Sequence, residues 1–170
     1  TAFSCLPRKL GVVYCFQRPH SIFLTDITDL LTSSNSETKE PSTLYHHLLS
    51  TGLKTARSLR CSPDGSRVAF LGQEKGFEEH NGCSELFTAE VTTLISGLAS
   101  RNSKALYTKV VAQVDAPLVT PAVDRATSAF PGLYCEALPI HCFSSPTTVV
   151  LSSQWTSDIV MLTVDLTTGD

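Results

Sequence analysis

The stretch "RCSPDGSRVAFLG", residues 60–72, holds a tight turn, a short apolar run and a closing glycine. Pro63 presets φ for a turn, Asp64 can hydrogen-bond the backbone two residues on, and Gly65 tolerates φ > 0. The run Val68-Ala69-Phe70-Leu71 is apolar at every position, which predicts a short strand buried on both faces. Such a hairpin is either one element of an arbitrary domain or one unit of a repeat.

Alignment of the chain with itself favours the repeat. "CSPDGSRVAFLGQ" (residues 61–73) lies without a gap over "CFSSPTTVVLSSQ" (residues 142–154), cysteine on cysteine and glutamine on glutamine. A looser copy, "LGVVYCFQ" at residues 10–17, ends on Gln17 and puts Val12-Val13-Tyr14 in the same register. A second strand-like run follows each copy: "SIFLTDI" from Ser21, "SELFTAEV" from Ser84 and "SDIVMLTVDL" from Ser157. The unit is turn, strand, loop, strand. Repeats of this kind point to an all-β chain and to a partial β-propeller, about three blades' worth of antiparallel hairpins with long loop insertions. The copies end at Gln17, Gln73 and Gln154, 56 and 81 residues apart, so insertions must lengthen the loops. Residues 32–47 are polar and read as a connection, while residues 105–114 read as a strand. Short helices are conceivable at residues 44–49 and 92–98. A propeller closes with about 4–8 blades, so residues 1–170 are expected to be a portion of a larger propeller domain.

Composition narrows the function classes. Hydrophobic residues are 42% and charged residues 17% of the 170, a globular balance. A formal charge of −3 offers no basic field for nucleic acid. No apolar run reaches the ~20 residues of a membrane-spanning helix, and the first residues lack the apolar core of a secretory signal. The six cysteines, at 5, 15, 61, 83, 135 and 142, are read as reduced thiols of a cytoplasmic protein. Cys15, Cys61, Cys135 and Cys142 lie in or beside apolar runs, where cysteine behaves as a small buried hydrophobe.

Four segments in fixed order carry a family resemblance: "RKLGVVYCFQRPHSIFLTDI", "LRCSPDGSRVAFLG", "HNGCSELF" and "FPGLYCEALPIHCFS". Together they resemble the N-terminal propeller of the acylaminoacyl-peptidases, in the prolyl oligopeptidase family. The "SPDG" turn is common among propellers. The H-x-x-C-S-x-L run at residues 80–86 and the F-x-G-x-Y-C-x-x-L-P run at residues 130–139 are more specific. The resemblance implies a propeller joined to a C-terminal α/β-hydrolase domain with a Ser-Asp-His triad. It also implies release of N-acylated amino acids from blocked peptides, access narrowed by the propeller, a cytoplasmic location and a homo-oligomer. No cofactor or metal is implied.

The chain departs from the whole family in lacking a G-x-S-x-G nucleophile elbow. "GCSEL" at residues 82–86 has no closing glycine and precedes a strand. No catalytic residue is therefore expected here, and the chain alone is expected to be inactive.

Other candidates read as structural. His80 and Cys83 form half a zinc pattern, but the nearest second pair, His141 and Cys142, is adjacent in sequence and would point to opposite faces of a strand. His46 and His47 fall in a polar insertion and are read as solvated loop histidines. Glu78 and Glu79, with the stretch "QEKGFEEH" at residues 73–80, have the look of the paired carboxylates of glycoside hydrolysis, but are read as a solvated charge run on a loop between strands. Arg18 and Arg57 could face a channel and meet a peptide carboxylate. Trp155, at the end of the last copied strand, is read as packing. A stand-alone propeller scaffold without enzymatic activity is the competing expectation.

Overall fold

Gly65 adopts φ +70°, and its N–H donates to the Ser62 carbonyl at 2.9 Å, closing the turn that the sequence prescribes. Asp64 Oδ1 accepts hydrogen bonds from Ser62 Oγ at 2.6 Å and from the Ser66 N–H at 3.1 Å. Ser62 Oγ in turn accepts the Arg67 N–H at 2.9 Å. The side chains of one tetrapeptide thus satisfy the backbone groups that a tight turn leaves over.

Around this turn the computed structural model describes residues 20–27, 46–74, 83–100, 104–112, 130, 132–135, 137–155 and 158–170. In chain order the elements are β1 (Phe23–Thr25), β2 (His46–Leu48), β3 (Thr55–Cys61), β4 (Arg67–Gln73), β5 (Glu85–Glu90), α1 (Val91–Ala99), β6 (Thr108–Val111), β7 (Phe143–Ser145), β8 (Thr148–Trp155) and β9 (Asp158–Asp165). They form three antiparallel sheets: a ribbon β1-β2, a four-stranded meander β3-β4-β5-β6 and a three-stranded sheet β7-β8-β9. The all-β expectation holds, with one helix inserted between β5 and β6.

The four-stranded sheet is covered on both faces. Successive side chains of a strand point to opposite sides. On β4, Val68 and Phe70 accordingly join Leu49, Ala56, Phe87, Ala89 and Leu94 in one core, which the ribbon and α1 close. Ala69 and Leu71 join Leu86, Val149, Leu151 and Val164 in a second core, between the two larger sheets. Six of the seven β4 residues are buried, as an unbroken apolar run requires. Phe70 and Phe87 are cross-strand partners stacked at 5.4 Å, and Tyr107 meets both rings edge-on.

The sequence repeat is also a repeat of register. Val68 pairs with Ala89 and Leu71 with Leu86, while in the third sheet Val149 pairs with Val164 and Ser152 with Met161. The β8 strand alternates, however: Val149, Leu151 and Ser153 are buried, whereas Ser152 and Gln154 are exposed. Burial on both faces is therefore a property of the first copy among the described residues.

Of the two short helices expected, residues 92–98 lie within α1, which buries Leu94 and Gly97 on one side. Residues 46–48, by contrast, pair with β1 as strand β2, so the helix expected at 44–49 is corrected. Pairing with Phe23–Thr25 overrides a weak local preference. The strand expected at 105–114 is β6, shorter than read. The copy at residues 10–17 and most of the 32–47 connection lie outside the described residues.

Two measurements test the turns. Gly65→Ala meets open space, so its cost is backbone alone: about 1–2 kcal/mol of stability, read as a lower urea midpoint with unchanged slope. Hydrogen bonds from Ser62 and Ser66 hold Asp64 below its usual carboxylate range, and those from Thr167 and Thr168 do the same for Asp165. A lowered folded pKa stabilises the fold above about pH 4 and ceases to do so as pH falls through the folded value. Asp64→Asn with Asp165→Asn will therefore flatten the acid limb of a stability-against-pH curve; an unaltered limb would contradict this.

The seam between the sheets as the candidate functional site

The two family-specific runs of the sequence meet in space. Residues 132–135 and 137–139, from the F-x-G-x-Y-C-x-x-L-P run, cross between the two larger sheets. The Ser84 N–H, from the H-x-x-C-S-x-L run, donates to the Leu133 carbonyl at 2.7 Å. On the other side the Tyr134 N–H donates to Ser153 Oγ at 2.9 Å, and its carbonyl accepts the Gln154 N–H at 3.1 Å. Gly132 has φ +99°, a conformation that favours glycine, which accounts for the glycine of that run. Phe130 meets Trp155 edge-on at 5.7 Å, so Trp155 packs, as read from the sequence.

Three side chains of β3 clamp this crossing strap. Arg57 Nη2 donates to Ser84 Oγ at 2.9 Å and to the Cys135 carbonyl at 3.3 Å. Arg60 donates through Nε to the Pro139 carbonyl at 2.9 Å and through Nη2 to the Leu138 carbonyl at 2.7 Å. Between them Ser58 Oγ accepts the Leu138 N–H at 2.7 Å. Residues three apart on a regular strand face opposite ways, yet both arginines reach the same strap. The reason is a bulge: Arg57 pairs with Leu71 and Arg60 with Ala69, three steps on β3 against two on β4. Ser58 takes up the extra residue at φ 61°, unusual for any residue but glycine. Arg57, read from the sequence as a channel-facing partner for a carboxylate, is thus engaged by protein groups; Arg18 lies outside the described residues.

A second polar network fixes the β5 end of the seam. Glu85, whose side chain is 4% exposed, meets Lys109 Nζ at 2.7 Å, and Glu74 meets the same ammonium at 2.7 Å. The remaining Glu85 oxygen accepts the Glu74 N–H at 2.7 Å, and Gln73 Nε2 donates to the Cys83 carbonyl at 3.2 Å. Burial works to lower the Lys109 pKa, but hydrogen bonds and charges from Glu74 and Glu85 outweigh it and hold the ammonium above its ordinary range. Sequence reading missed this triad because its members stand far apart along the chain.

The remaining candidates do not converge. His46 is exposed and its Nδ1 lies 2.7 Å from Thr25 Oγ1. His47 is buried, 3% exposed, correcting the reading of a solvated loop, and its Nε2 has no hydrogen-bond partner among the described residues. Strand alternation separates the two rings: one faces water and the other Leu24 and the core. His141, in the turn before β7, is exposed, whereas Cys142 is buried. Among the described residues no group of His, Cys, Asp or Glu could hold a metal ion. His80, Glu78 and Glu79 lie outside them. The four described cysteines form no disulfide; Cys83 and Cys142 are buried, while Cys61 is exposed at the end of β3, against expectation. Burial pushes the Cys135 thiol up to about 11 despite the nearby Arg57, which leaves it a poor nucleophile at neutral pH. The arrangement fixes two sheets against each other.

Comparison with known proteins agrees with the two runs at the seam. The sequence matches the family described as "Acylamino-acid-releasing enzyme, N-terminal domain" over residues 1–170. It is 30% identical over 165 residues to the acylamino-acid-releasing enzyme of Mus musculus, covering 96% of this chain and 18% of that protein. It is 28% identical over 175 residues to acylamino-acid-releasing enzyme 2 of Oryza sativa subsp. japonica, covering 98% and 21% respectively. The chain thus spans about a fifth of the length of these curated relatives.

Removing the Lys109 cation strands a buried carboxylate. Lys109→Met is expected to cost about 2–3 kcal/mol in chemical denaturation, less than a fully buried pair because Lys109 and Glu74 are part-exposed. Adding Glu85→Gln to it will recover part of the loss. A double variant as unstable as the single one would contradict the account.

Proposed function

Because the chain belongs to the acylamino-acid-releasing enzyme family, as its N-terminal domain, we propose that residues 1–170 are part of a β-propeller in a serine-type acylaminoacyl-peptidase. The observation that carries this reading is the meeting of the two family-specific runs at one clamped seam between stacked sheets. A four-stranded meander stacked face to face on a second sheet is the construction a propeller blade uses.

In this proposal the chain contributes selection and no chemistry. The α/β-hydrolase domain, C-terminal in the family, supplies the serine, its histidine and aspartate, and the oxyanion hole. It cleaves the bond after an N-acylated residue at the blocked end of a short peptide. The propeller walls a passage, and its insertions shape the rim. Rigidity is what such a wall needs: a seam tied by charge-assisted hydrogen bonds to backbone carbonyls resists parting, so folded proteins stay outside. The enzyme is proposed to be cytoplasmic and homo-oligomeric. No helix among the described residues is long and apolar enough to cross a membrane.

The test is hydrolysis of an N-acetyl-alanyl chromogenic substrate by the 170-residue chain and by the longest product of the same gene. Activity in the longer protein alone is the expected outcome. Activity in the short chain, surviving repurification and blocked by a serine-directed inhibitor, would overturn the division of labour. Silence in both would favour a binding scaffold without catalysis.

A further inference from the structure

We draw no further inference here: the strongest candidate, the buried imidazole of His47 on the inner side of the β1-β2 ribbon, whose Nε2 has no hydrogen-bond partner among the described residues, carries nothing because nothing in the structure shows which group or ligand would meet that nitrogen.

Discussion

A strand that is apolar on both sides cannot lie at a protein surface. The run from Val68 to Gly72 imposes that constraint here, and most of the architecture answers it. One side requires the ribbon, α1 and Leu49; the other requires a second sheet and the strap that holds it in place. Apolar burial supplies most of the attraction, and it is non-directional. Orientation must come from elsewhere. Arg57, Ser58 and Arg60 provide it by binding specific carbonyl and amide groups of the strap.

The division between attraction and orientation explains what the sequence disclosed. The SPDG hairpin was legible because its turn chemistry is local: each residue acts within five positions of itself. The repeat was legible because cysteine, glutamine and the apolar positions recur at fixed offsets, and strand pairing then preserves those offsets. The seam was only half legible. The F-x-G-x-Y-C-x-x-L-P run stood out by resemblance, yet nothing in it announces that its carbonyls are held by arginines almost eighty residues earlier.

Other features were hidden for identifiable reasons. The bulge at Ser58 carries no glycine to mark it, and its positive φ is sustained by tertiary hydrogen bonding. His47 sits in a polar stretch, so its burial follows from pairing with Leu24 and not from its neighbours in sequence. Lys109 holds two carboxylates, Glu85 on β5 and Glu74 just past the end of β4, an arrangement that only sheet pairing creates. Cys61 misleads in the opposite sense: it ends an apolar-looking run, but β3 runs out to the surface there.

The strap also sets an order of events. Each sheet is built from strands consecutive in the chain, so its pairings close shorter loops than the clamp does. The clamp, in contrast, joins residues 78 to 80 positions apart. Closing a loop of that length costs entropy that no single hydrogen bond returns, so it becomes favourable only once both partners are already formed. The sheets are then early products of folding, and their locking together is a late, cooperative step. A chain assembled from such units would mature one seam at a time, each newly made sheet waiting for its strap before it becomes part of the whole.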